Sequence, residues 1–179
     1  MYTVGWNITF SEGVYDVAAR GFFKVGPRVD GMERVLAVVD PSETSKKVVR
    51  EAGSLAEQMD AEMVLIHVTT EDEYKARRGT METLLNSSRS YTHDDAREGA
   101  TKFAQDLGRE VLADFEVEYR AVGSLGDKAT EVLDAAVENE CDHIFLSGRQ
   151  RSPTGKAIFG DTTQRVILEF DGFVTVTTR

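Results

Sequence analysis

The stretch best equipped for chemistry runs from Ser147 to Thr162 and reads Ser-Gly-Arg-Gln-Arg-Ser-Pro-Thr-Gly-Lys-Ala-Ile-Phe-Gly-Asp-Thr. Glycines at 148, 155 and 160 let a backbone approach a ligand closely, and Arg149, Arg151 and Lys156 can neutralise an anion. The segment ends where a helix is expected to start, and a helix N-terminus offers unpaired N–H groups to phosphate. Together these features point to an anionic ligand held locally. Gly155-Lys156 invites comparison with a Walker phosphate loop. That motif needs a glycine five residues before its second glycine and a hydroxyl residue after the lysine; here those places hold Gln150 and Ala157. The P-loop hydrolases are thereby excluded.

Other polar residues suggest structure more than catalysis. His67 lies in an apolar run and is expected to be a hydrogen-bonded strand residue, His143 to be structural, and His93-Asp94-Asp95 to form the first turn of a helix, where acids suit the dipole. No further ligand at zinc spacing accompanies them. Cys141 is the lone cysteine and precedes an apolar run, so it is expected as a small residue at a strand start, in a reducing cytoplasm. Neither a Ser-His-Asp order nor a carboxylate pair stands out, so no catalytic residue and no metal site is expected.

The elements that would position this loop alternate regularly from Met32 onward. Arg34 to Val39 and Met63 to Val68 are near-continuous apolar runs of the kind buried on both faces, and further strands are expected at Val117–Val122, His143–Leu146 and Phe173–Thr177. Between them lie a helix with apolar positions at Val48, Val49, Ala52, Leu55, Ala56 and Met59, capped by Ser42 or Thr44, and one from about Tyr91 to Phe115. A third helix is capped by Asp127 and a short one covers Thr162 to Phe170. Residues 69–88 are polar and irregular and read as a long loop; 123–126 read as a turn. Five strands alternating with helices make a doubly wound α/β domain with a parallel sheet. In such sheets ligands bind beyond the carboxyl ends of the strands, which puts Asp40, Val68, Thr69, Ser124 to Asp127 and the 147–162 loop at the site.

With 31 acidic against 21 basic residues the net charge is −10, which argues against nucleic acid and anionic membranes as partners. The excess of acid, with 14 arginines to 7 lysines, also suits a high-salt cytoplasm. Apolar runs are far shorter than the roughly 18 residues of a membrane span. Residues 1–31 differ from the rest: they hold the sole tryptophan, Trp6, five glycines, balanced charges and no sustained period. They read either as an appended segment packed on the domain or a partner, or as a misassigned or disordered start with Met32 the initiator, the reading favoured here.

Val38-Val39-Asp40-Pro41-Ser42, Leu65-Ile66-His67-Val68 and the loop after the fourth strand together resemble the universal stress protein family, over essentially all of residues 32–179. The resemblance implies the family's adenine nucleotide alpha-hydrolase-like fold and a bound nucleotide, ATP or AMP, with Mg2+ as an optional companion. It implies that Val39 and Asp40 meet the adenine and Val68 lines the base pocket. The backbone at Gly148, Arg151 and Ser152 would wrap ribose and phosphates, and Gly160, Asp161 and Thr162 would meet the phosphates. The loop is similar to the haloarchaeal form. Against the family pattern G-x2-G-x9-G-[ST], Ser147 and Gln150 stand at the first two glycines and Asp161 at the hydroxyl, which Thr162 can supply one place later. The function implied is a regulatory nucleotide-binding stress protein with little or no turnover. The alternatives are a dimeric interaction module of the same fold that has lost its ligand, or a slow ATPase using Asp161 as a metal ligand. Phe173 to Thr177 is expected at the sheet edge, and the resemblance implies a homodimer paired through it.

Overall fold

The computed structural model describes residues 22–25, 32–85, 91–148 and 159–178. Six strands form one sheet: β1 (Phe22–Val25), β2 (Arg34–Val38), β3 (Glu62–Thr69), β4 (Tyr119–Leu125), β5 (His143–Gly148) and β6 (Phe173–Thr178). Their spatial order is β1-β6-β5-β2-β3-β4. The five strands from β2 to β6 are parallel, as the alternating pattern requires, and β1 adds an antiparallel strand along β6. The helices are α1 (Glu43–Met59), α2 (Glu71–Leu85), α3 (His93–Val111), α4 (Lys128–Glu138) and α5 (Asp161–Glu169).

Period-two alternation divides the core between the two faces of the sheet. Val35, Ala37 and Val39 pack with Met63 and Leu65 under α1 and α3. Leu36, Val38, Val64, Ile66, Ile144, Leu146, Val174 and Val176 point the other way, under α4 and α5. Each of the largest of these side chains is worth about 1.5–3 kcal/mol of burial, so register is fixed: a one-residue slip would exchange the two faces. From β2 the chain runs outward to β3 and β4, then crosses back to β5 and β6, so the strand order reverses between β2 and β5.

Three expectations need correction. Residues 71–85, expected within a loop, form α2. Its start is a capping arrangement: Thr70 N–H donates to Glu73 Oε2 at 2.8 Å and Glu73 N–H donates to Thr70 Oγ1 at 3.3 Å. Tyr74 is the one residue of its first ten that is buried, so the helix carries no apolar period to read. The expected turn at 123–126 is strand as far as Leu125. Gly123 is there for close packing: a Cβ would sit 2.2 Å from the Arg97 carbonyl oxygen and 2.3 Å from Thr101 N, so α3 lies directly on the strand. Finally, β6 is not an edge, because β1 occupies its outer side.

Candidate functional site

Where the strand order reverses, the carboxyl ends of β2 and β5 separate and leave a cleft of about 540 Å³, within the roughly 300–1,000 Å³ range of small-molecule sites. Its lining includes Asp40, Ser42, Lys128, Ser147, Gly160 and Thr162. Asp40 is held from two directions. Its N–H donates to the Ser45 hydroxyl at 2.9 Å, and its Oδ2 accepts from the Ser147 hydroxyl at 3.0 Å. Ser45 is fully buried, and its own N–H is taken by the N-cap Ser42. The backbone of Asp40 is therefore held by α1 and its carboxylate by β5.

Three helices begin at this cleft. Ser42 caps α1 and Asp127 caps α4, each accepting from the backbone N–H three residues on. By contrast α5 starts at Gly160 with no side-chain cap. The first turn of a helix carries N–H groups without intrahelical partners and a positive field end, and Gly160 to Thr163 form part of the cleft wall. Lys128, the first residue of α4, is the lining cation among the described residues. An acidic chain thus gathers three positive helix ends and a lysine in one place.

Asp40, Gly148, Gly160, Asp161 and Thr162 of the expected residues line this cleft. Arg151 and Ser152 lie outside the described residues, as do Arg149 and Lys156. Val39 and Val68 do not line it. Val39 is wholly buried in the α1 face of the core; its N–H donates to the Ile66 carbonyl at 2.8 Å, and its carbonyl oxygen lies 2.8 Å from His67 Nδ1. Val68 is buried in the opposite core face. The glycines differ in kind. At Gly148 a Cβ would lie 2.6 Å from Val176 Cγ1 and 3.3 Å from Phe159, so packing alone demands glycine. At Gly160 a Cβ would meet nothing within 4 Å among the described residues, and φ −68° suits any residue. No structural requirement explains glycine there.

Sequence reasoning missed Lys128 and the tether from Ser147. The first had a signal, since Gly126-Asp127-Lys128 places a lysine directly after a helix cap at a strand's carboxyl end. The second pairs residues 107 apart and had none. Beyond Pro41 lies a second cleft of about 860 Å³ with His67, Thr69, Tyr91 and Phe103 in its walls. His67 packs against Phe103 with ring centroids 4.5 Å apart and the rings tilted by 52°. Burial first, and then the charge of Lys128, hold its pKa below the usual value against the opposing bond to Val39. Burial pushes the Cys141 thiol up to about 11, which suits an inert core residue. Buried His143 sets its Nε2 2.8 Å from Thr175 Oγ1. Among the described residues no group of three or more His, Cys, Asp or Glu is placed to hold a metal ion, and no helix is long and apolar enough to cross a membrane.

A sequence model of the universal stress protein family matches residues 31–177. No curated protein matches the chain. Among solved structures, the chain is similar to universal stress protein UspA from Lactobacillus plantarum, at 20% identity and a TM-score of 0.61, with 83% of this chain and 99% of that one covered. It is similar to the universal stress protein from Archaeoglobus fulgidus in complex with dAMP, at 17% identity and a TM-score of 0.52, over 81% and 96% of the two chains. A universal stress protein in complex with cAMP is similar at 14% identity and a TM-score of 0.56, over 83% and 98%. These likenesses confirm the fold.

Proposed function

The chain belongs to the universal stress protein family, and from that premise we propose that its β2–β5 cleft binds an adenine nucleotide, ATP or AMP, in a regulatory role with little or no turnover. The observation that carries this reading is the uncapped start of α5 facing the tethered carboxylate of Asp40. A phosphate satisfies the first-turn N–H groups of α5, and Lys128 adds charge from the start of α4. Asp40 accepts from a ribose hydroxyl or the base amine. The base lies over Pro41 toward the second cleft, near His67 and Thr69. Thr162 supplies the hydroxyl at the phosphates, and Arg151 and Ser152, which lie outside the described residues, are proposed as further contacts to ribose and phosphates.

Asp161 is exposed, so solvent screens its repulsion of phosphate, and Mg2+ between the two would reverse its sign. Structures of relatives with dAMP and cAMP support the ligand class. We place the protein in a saline, reducing cytoplasm on its acid excess, its haloarchaeal-type loop and its lone cysteine.

The test is calorimetric titration of the full chain with ATP and AMP, with magnesium, in high salt. Saturable binding of one nucleotide per chain, weakened in Lys128→Ala, is expected. Absence of heat with either ligand at millimolar concentration would leave an interaction module as the function.

A further inference from the structure

The sheet of this protein is parallel except at one place. Residues 22–25 pair antiparallel with β6, Phe22 opposite Thr177, Phe23 opposite Val176, Lys24 opposite Thr175 and Val25 opposite Val174. With β5 bonded on its other side, β6 is an interior strand, and all its side chains from Phe173 to Thr177 are buried. Without β1 it would present a row of unpaired N–H and C=O groups, a template for a strand of another chain.

A second copy related by a twofold axis would meet β6 with its own β6, and such a pair is necessarily antiparallel. That is the direction in which β1 runs. The strand thus fills the place of a partner's strand, and both cannot be present. It also resembles the natural devices that stop sheets from growing: it is four residues long, contains Lys24 and is followed in the sequence by Gly26-Pro27.

We propose that residues 22–25 are an intramolecular edge cap, which denies the side of β6 to a second copy of this chain, so that self-association through β6 follows release of the cap. Four residues make few hydrogen bonds, set against the entropy of ordering them, so the cap is displaceable. This inference is independent of nucleotide binding and is tested without nucleotide.

The experiment compares the full chain with Phe23→Pro/Lys24→Pro. Consecutive residues of a strand point their N–H groups to opposite sides, so the double substitution removes a donor facing β6 whichever residue holds it. Masses by light scattering over a concentration series are read beside amide exchange of residues 174–178, with a thermal melt to establish that the variant is folded. The full chain is expected to keep its mass of 19.8 kDa. The variant is expected to approach twice that mass, with a dimer dissociation constant at least ~tenfold lower, since both copies must be uncapped and capping multiplies the apparent constant by the inverse square of the uncapped fraction. A monomeric variant whose amides at 174–178 exchange as slowly as in the full chain would show that β1 does not hold the edge. A monomeric variant with accelerated exchange would overturn the second copy as the excluded partner, as would a full chain that is already dimeric at the lowest concentration.

Discussion

Replacing Gly160 with aspartate should raise the stability of the protein while lowering its affinity for nucleotide. Gly160 begins α5 without a side-chain cap, at φ −68° and ψ 160°, and among the described residues a Cβ there meets nothing within 4 Å. Aspartate at this position accepts from the N–H groups of the first turn. Relative to glycine this contributes a few tenths of a kcal/mol as a cap, and the charge at the helix start adds roughly 0.3–1 kcal/mol. Repulsion from neighbouring Asp161 offsets part of that, so a net gain of about 0.5 kcal/mol is expected, or about 1–2 °C in Tm for a domain of this size. The same carboxylate takes the donors a phosphate needs and repels it. Two unit charges 4 Å apart interact by up to about 4 kcal/mol at an effective dielectric of 20; allowing for exposure, a loss of at least ~tenfold, about 1.4 kcal/mol, should remain. Urea unfolding and calorimetric titration on one preparation give both numbers. ATP should suffer more than AMP, and Gly160→Ala should bind within about threefold of the unmodified chain, since one methyl group in open space is worth under ~1 kcal/mol. Unchanged ATP affinity in Gly160→Asp, with the stability gain present, would refute the placement of phosphates at this helix.

Gly148→Ala is expected to destabilise the fold by about 1–3 kcal/mol, because its Cβ overlaps Val176 and Phe159; a urea midpoint equal to that of the unmodified chain would contradict the packing argument. Asp127→Ala should cost about 0.5–2 kcal/mol near neutral pH, since Asp127 caps α4 through Thr130 N–H and meets Arg165 at 2.8 Å. The bonds from Thr130, with Arg165 contributing less, hold the Asp127 carboxyl below the usual range. Its contribution is therefore complete above the unfolded pKa and lost as pH falls through the folded one, so unfolding curves of variant and parent should converge in acid. Cys141 is buried with a thiol pKa near 11 and should resist a thiol reagent at pH 8 until urea unfolds the chain; rapid labelling of the native protein would show that strand β5 opens at its start.

Reading the sequence succeeded where structure follows from local period and failed where it depends on distant partners. The runs at Arg34–Val39 and Met63–Val68 announce buried parallel strands because both their faces are apolar, and each became a strand at the centre of the sheet. Helix α2 escaped because helical period is visible only when a face is buried, and over its first ten residues the one buried is Tyr74; the pair Thr70 and Glu73 was the available signal. Asp40 was legible as a residue after the first strand. Its orientation depends on Ser147, which sits where the family pattern has glycine and reads as a departure until the hydroxyl is seen donating to the carboxylate. Lys128 enters the cleft because α4 starts beside the reversal of strand order, a fact of topology. Strand β1 has no amphipathic period to read over its four residues; its partner lies about 150 residues away.

The most direct measurement of the central claim is a titration of the isotopically labelled full chain with ATP, followed by backbone amide resonances. Saturable shifts at Gly160, Asp161, Thr162 and Thr163, accompanied by Asp40 and Lys128, are predicted, with the largest at the start of α5. If millimolar ATP leaves these resonances in place, or moves only amides remote from the β2–β5 cleft, the account of the site is wrong.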